Sequence, residues 1–243
     1  MKLRNKTAVI TGGSKGIGRA VAKAFVTEGA SVVICGRNET DLIDANAELS
    51  IYGTVDHVVV DISNRDDVER FAAIIKNRWN KLDVLVNNAS ILGPRLPISE
   101  YDEDLWVEVM NVNINGQFFI TKALLPLMIE SQNASIINLT SGVGRVGRAR
   151  WGAYSVSKFA MEGFNQLLAD ELKEFNIRVN AVNPGGTRTN MRAQAYPDED
   201  PLTLPEPDDI VPVFVYLASE ESADITGQSY NARDWFQPAL ETT

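Results

Sequence analysis

TAVITGGSKGIGRAVAKAF, residues 7–25, joins a run of β-favouring apolar residues to a cluster of glycines and then to a segment whose apolar residues recur at helical spacing. Glycine is needed where a backbone must turn sharply or let another group come close, and Gly12, Gly13, Gly16 and Gly18 fall within one short turn. A strand that feeds a helix through such a turn aims the unpaired N–H groups and the positive dipole end of the helix at one spot, which favours a phosphate. A nucleoside triphosphate cradle would carry Lys and then Ser or Thr straight after its last glycine, whereas Gly18 is followed by Arg19 and Ala20. The order Gly12-x-x-x-Gly16-x-Gly18 also departs from the common dinucleotide fingerprint, yet it keeps the same strand–turn–helix setting. The reading is a dinucleotide site with Gly12, Ser14, Lys15, Gly16, Ile17 and Gly18 around the pyrophosphate; a turn with a purely structural role is the alternative.

The alternation continues outward from this stretch. SVVICG (31–36), HVVVDI (57–62), VLVNNA (84–89), SIINLTS (135–141) and RVNAVNPG (178–185) read as strands, with a last short one near QSYNA (228–232). Helical periodicity covers 19–28, 42–49, 68–79, one long helix over 105–130, then 154–174 and 210–218. Strands that are apolar on both faces and separated by helices mean a parallel sheet covered on both sides. The expectation is therefore one α/β domain over 1–243, a doubly wound parallel sheet in three α/β/α layers, with the acidic, proline-rich stretch 187–207 as a substrate loop or lid.

Composition removes several function classes. A net charge of −9 opposes general binding to nucleic acid or to an anionic membrane surface, so an anionic ligand must meet a local basic patch. One cysteine and one histidine leave no internal disulfide, no Cys/His zinc cluster and no Ser-His-Asp triad unless His57 supplies it. Cys35 reads as strand filler and His57 as a surface or strand-edge residue just ahead of the third strand. With no signal-like or membrane-spanning apolar run, a cytoplasmic protein is expected.

Two further segments carry chemistry. The second strand ends in Cys35-Gly36-Arg37, near where an NAD site would hold an acid against the ribose 2′-hydroxyl. Arg37 with Lys15 would instead pair a 2′-phosphate, so NADP(H) is the expected cofactor, although Glu39 nearby works against the two cations. In WGAYSVSKF (151–159) a phenol and an ammonium lie four positions apart, on one helical face. A tyrosine titrating near ~10 needs about 4 kcal/mol to act near neutrality. An ammonium about 5 Å away would supply roughly 3 kcal/mol at an effective dielectric of ~20.

Taken together, Thr11-Gly12-x-x-x-Gly16-x-Gly18, Asn87-Asn88-Ala89, Ser141 and Tyr154-x-x-x-Lys158, in that order over nearly the whole chain, resemble the short-chain dehydrogenase/reductase family. The resemblance implies a Rossmann-type fold and hydride transfer between NADP(H) and a carbonyl or alcohol, similar to 3-oxoacyl-[acyl-carrier-protein] reductase-like members. It implies Tyr154 as general acid/base, Lys158 as the residue that lowers its pKa and holds the nicotinamide ribose, and Ser141 on the substrate oxygen. It further implies Asn113 in a proton relay, with Asn111 and Asn115 as competitors for that role. Asp61 and Ile62 would then meet the adenine, Asn87, Asn88 and Ala89 would flank the cofactor, and Pro184, Gly185 and Thr187 would wrap the nicotinamide. Ser90 departs from the family pattern, which has glycine there.

Substrate choice is less determined. Arg145, Arg148, Arg150, Arg188 and Arg192 suggest a positive field for an anionic substrate such as a 3-oxoacyl thioester, with solvated or ion-paired arginines as the alternative. Val143, Val146, Trp151 and Met191 are candidates for an apolar pocket. A dinucleotide-binding regulator without turnover is the rival function. Resemblance also implies a homodimer or homotetramer, formed through the helices at 105–130 and 154–174.

Overall fold

The computed structural model describes residues 1–235. Its strands β1 (Thr7–Thr11), β2 (Ser31–Gly36), β3 (Val55–Val59), β4 (Val84–Asn87), β5 (Ala134–Leu139), β6 (Ile177–Asn183) and β7 (Ser229–Asn231) form one parallel sheet in the order β3-β2-β1-β4-β5-β6-β7. Alternate strand residues enter opposite cores: Ala8, Ile10, Val32 and Ile34 face one side, Val9, Val33 and Cys35 the other. That division explains why the strands read as unbroken apolar runs. Helices α1 (Gly16–Thr27), α2 (Glu39–Leu49) and α8 (Pro212–Ala218) close the first core; α3 (Arg65–Arg78), α5 (Gly116–Ile129) and α6 (Gly152–Glu171) close the second. The doubly wound, three-layer expectation is met. The expected extent of 1–243 runs past the described residues at 236–243.

β1 and β4 are neighbours at the centre of the sheet, and the chain leaves them in opposite directions, toward β2 and toward β5. The loops that follow them therefore part and leave a crevice at the carboxyl ends of the strands, where ligands of such sheets bind.

Three local readings need correction. The helix expected over 105–130 is α4 (Glu103–Met110) and α5, separated by one π-helical turn at Asn111–Asn115. The extra residue in that turn directs the Asn113 side chain inward, where its Oδ1 accepts from the Ile91 N–H at 2.8 Å and its Nδ2 donates to the Ile91 carbonyl at 2.9 Å. β3 begins before His57 rather than after it, so His57 lies within the edge strand, paired with Ile34. The stretch 187–207 is not bare loop: it contains α7 (Asn190–Ala195) and a short 3-10 turn at Pro201–Thr203. Elsewhere the helix read over 154–174 starts at Gly152 and ends at Glu171. Among the described residues no helix is long and apolar enough to cross a membrane.

Candidate active site

The glycine turn is knitted to the end of β4. Asn88 Nδ2 donates to the carbonyls of Thr11 at 2.8 Å and Gly12 at 3.0 Å, while the backbone N–H groups of Asn88 and Ala89 both donate to Thr11 Oγ1 at 2.9 Å. At Gly12 and Gly18 the turn has no room for a side chain. A Cβ on Gly18 would lie 2.3 Å from the Gly12 carbonyl oxygen, and Gly12, at φ +64°, would push one to 2.9 Å from Asn88 Nδ2. Gly16, at φ +51°, faces open space bounded by Thr189 at 3.4 Å. Unlike α2 and α3, which Asn38 and Asn64 cap, α1 has no side-chain cap, so its first-turn N–H groups are left for a ligand.

From this turn a cleft of about 730 Å³ runs past Asn88, Ala89 and Ser90 to Ser141, Tyr154 and Lys158, and is bounded across from them by Pro184, Gly185, Thr187 and Thr189. A cleft whose lining runs from an uncapped helix N-terminus to Tyr154 and Lys158 suits a pyrophosphate-linked dinucleotide, so the residues present fit such a cofactor. The buried hydroxyls of Ser90 and Thr140, both on its walls, have no hydrogen-bond partner within the protein.

At the far end, α6 runs close beneath the end of β5. Lys158 Nζ donates to the Leu139 carbonyl at 2.9 Å, and the loop after Ser141 lies so close to α6 that a Cβ on Gly144 would come within 2.7 Å of the Lys158 backbone. Lys158 Nζ lies 5.6 Å from the ring centre of Tyr154, as the four-residue spacing requires. The electrostatic consequence is the reverse of the one the spacing suggests. Burial pushes the Tyr154 phenol up to about 12, with the Ser141 hydroxyl opposing the rise, and burial alone lowers the Lys158 ammonium to about 8. Desolvation penalises both charged forms.

The remaining predicted residues divide into those on the cleft and those beside it. Gly12, Lys15, Gly16, Ile17, Asn88, Ala89, Pro184, Gly185 and Thr187 line it. Gly18 lies beneath the turn, and Asn87 in β4, where its Nδ2 donates to Thr121 and Asn138. Asn113 sits behind the cleft, and its Nδ2 also donates to Ser157 Oγ at 3.1 Å. Its two competitors bond each other, Asn115 Nδ2 donating to Asn111 Oδ1 at 2.8 Å. Arg37 is exposed at the end of β2, beside Asp61 and Ile62, since the Val60 N–H donates to the Gly36 carbonyl at 2.8 Å. The Asp61 carboxylate is engaged by the Ser63 N–H and hydroxyl, Ile62 is buried, and Lys15 is paired with Asp41 at 2.6 Å.

The expected positive field is largely neutralised. Arg145 pairs with Glu162 at 3.0 Å and reaches Asn231, Arg188 pairs with Glu206 at 2.7 Å, and Arg192 pairs with Glu199 at 2.6 Å. Only Arg148 and Arg150 of the five stand exposed without an ion pair among the described residues. Val146, 64% exposed, is not part of an apolar wall; Leu92, Val143, Trp151 and Ala195 pack with Tyr154 and Met191 instead. Sequence reasoning missed Thr11, Leu92, Arg95 and Tyr196. Thr11 stood in the quoted motif and was legible as a hydroxyl at the turn; the others meet the site only through the folded chain.

Comparison with known proteins agrees with this geometry. The family profile described as short chain dehydrogenase matches residues 6–200, and the chain belongs to that family. It is 39% identical to YciK, an uncharacterised oxidoreductase of Escherichia coli K12, over 98% of this chain and 96% of that protein. To the 3-oxoacyl-[acyl-carrier-protein] reductase FabG of Thermotoga maritima it is 36% identical, over 94% and 96% of the respective chains. A short chain dehydrogenase of Escherichia coli CFT073, solved in complex with NADPH, superposes with a TM-score of 0.92 at 41% identity, over 96% and 98% of the two chains.

Burial of Lys158 makes stability depend on pH in a stated direction. Between about 8 and the ordinary 10.5 the unfolded chain holds a proton that folded Lys158 lacks, so stability rises with pH through that interval. Tyr154 acts oppositely above 10, where the unfolded phenol ionises first. Comparing thermal midpoints of wild type and Lys158→Met from pH 8 to 10, wild type should gain on the variant by about 2 kcal/mol. For a chain of this size that is about 4–8 °C. A difference that stays flat over this window would show that the lysine is not held away from water.

Proposed function

We propose that the chain is an NADP(H)-dependent carbonyl reductase in which Tyr154 is the proton donor. The observation that carries this reading is the buried phenol, beside the Ser141 hydroxyl, on the same cleft as the uncapped glycine turn. A phenol that holds its proton at neutral pH is in the protonation state that reduction of a carbonyl consumes. The bound dihydronicotinamide supplies a hydride to the carbonyl carbon. Tyr154 Oη gives the proton to the carbonyl oxygen, so that the alcohol forms with charge balanced, and Ser141 Oγ hydrogen-bonds that same oxygen as negative charge gathers on it. Lys158, whose ammonium is lowered to about 8, can return a proton to the phenolate near neutral pH. Asn113, which donates to Ser157 Oγ of α6, holds a water in the proton relay to Lys158.

Around the pyrophosphate the glycine turn and the first-turn N–H groups of α1 bind through backbone dipoles. Arg37 reads the 2′-phosphate, with Lys15 joining it by exchanging Asp41 for phosphate; Asp61 and Ile62 border the adenine end, and Pro184, Gly185 and Thr187 the nicotinamide end. The substrate carries its carbonyl on an apolar body, because Leu92, Val143, Trp151, Met191 and Ala195 surround the phenol and Arg188 and Arg192 are already paired. A 3-oxoacyl thioester meets that description, as do other apolar ketones. Two copies associate through α5 and α6, where Phe118, Val156, Phe159 and Leu167 are exposed on helices joined by the Phe118–Phe164 contact.

Three measurements test this. Tyr154→Phe should lower kcat for NADPH-driven carbonyl reduction by at least about a thousandfold while NADPH still binds; a variant as active as wild type would refute the assignment. Arg37→Gln should reduce kcat/KM for NADPH about tenfold or more and leave that for NADH nearly unchanged; equal losses would remove Arg37 from the 2′-phosphate. Light scattering should report a mass above that of one chain, and Phe118→Glu with Phe159→Glu should bring it down to one; a monomeric wild type would exclude the interface.

A further inference from the structure

Arg95 lies in the segment after β4, and the reaction outlined above gives it no part. Its guanidinium carbon is 4.7 Å from the ring centre of Trp151 and 4.8 Å from that of Tyr196, and the two rings are 6.0 Å apart, so the three groups close a triangle. Trp151 caps the start of α6 with its ring 5.7 Å from that of Tyr154; Tyr196 directly follows α7. Arg95 Nη1 completes the arrangement by donating to the carbonyl of Ala195, the last residue of α7, which has no acceptor role within its own helix.

The absence of an acid beside this cation separates it from its neighbours. Arg145, Arg188 and Arg192 each pair with a glutamate, whereas among the described residues no carboxylate lies within ion-pair distance of Arg95, and its Nε is buried without an acceptor. A partly desolvated guanidinium in that position takes its compensation from aromatic faces and a carbonyl. All three compensating groups belong to the substrate end of the cleft, one on α6 and two on the flap formed by α7 and Tyr196. Tyr196 is fixed from the flap as well, by Arg192 at 3.8 Å, itself held by Glu199.

We propose that Arg95 is a positioning residue that clamps the α7 flap to Trp151 and thereby sets the width of the substrate end of the cleft. It reaches no reacting atom; it acts through Trp151 and Ala195, both of which pack with Tyr154. Its effect on turnover rests on the carbonyl reductase reading, while the clamp itself does not. Loss of the clamp should weaken substrate binding and leave the glycine turn, and so the dinucleotide, undisturbed.

The test compares Arg95→Met, which keeps the length and loses the charge and planar fork, with Arg95→Lys, which keeps the charge alone, and with Tyr196→Leu singly and combined. Thermolysin cleavage within 187–207 reads the flap, NADPH fluorescence reads cofactor affinity, and KM and kcat are read on a panel of apolar ketones. In Arg95→Met the flap should be cut about tenfold faster and KM should rise about tenfold. The NADPH Kd should stay within about twofold and kcat within about threefold; Arg95→Lys should fall between. Adding Tyr196→Leu to Arg95→Met should change little further, since both remove one clamp. Unchanged cleavage in a variant that melts like wild type would overturn the proposal, as would additive effects or an equal loss of NADPH affinity. If the wild type reduces no ketone, the reductase reading fails and the cleavage rates still decide the clamp.

Discussion

The close approach of α6 to the loop after β5, where only glycine fits at position 144, is the constraint on which the site depends. It takes Lys158 and Tyr154 out of water together and leaves the ammonium a single backbone carbonyl as partner. Once both are buried, desolvation decides their protonation: the phenol keeps its proton and the lysine gives one up more readily than in water. A more open packing would restore the ordinary values of both groups. The same approach brings the loop bearing Ser141 to the phenol, so one packing distance sets both the chemistry and the geometry.

The other end of the cleft depends on a different kind of contact. Thr11 Oγ1 accepts two backbone N–H groups from the segment after β4, and Asn88 returns two bonds to the turn after β1. These four bonds hold the central crevice at a fixed width. Its two walls come from chain segments far apart in sequence, and the floor is the parallel sheet itself. Because the glycines leave backbone and not side chains on the surface, a dinucleotide can be bound through N–H dipoles in a chain whose net charge is −9.

Much of this was legible in the sequence, for physical reasons that can be named. Apolar runs with no polar alternation required a sheet buried on both faces, and Ala8, Val9 and Ile10 enter alternate cores accordingly. The glycine spacing and the Tyr154–Lys158 spacing are local, and local periodicity survives folding. What failed was whatever depends on the surroundings. The sign of the Tyr154 shift follows from burial, which four residues of sequence do not reveal. The π-helical turn at Asn111–Asn115 arises because Asn113 finds the backbone of Ile91, a tertiary partner. The arginines read as a positive field have acids as partners, one of which, Glu162, lies on a helix after the loop and not beside Arg145 in the chain.

Those ion pairs bear on substrate choice more than their number suggests. Arg188 and Arg192 point their charge into Glu206 and Glu199, on the same flap, so they brace the flap against itself and contribute little outward field. Arg145 ties the loop after Ser141 to β7 through Asn231 and the Tyr230 carbonyl. With the cations used as braces, the groups left to meet a substrate near Tyr154 are Leu92, Val143, Trp151 and Met191, which reward apolar contact and shape. Of the five arginines named for a positive field, Arg148 and Arg150 alone lack an ion pair among the described residues, and both stand on the exposed loop; Arg95, also without an acid, directs its charge to Trp151, Tyr196 and the Ala195 carbonyl. The wall around Tyr154 therefore offers apolar shape rather than the free charge of Arg188 or Arg192.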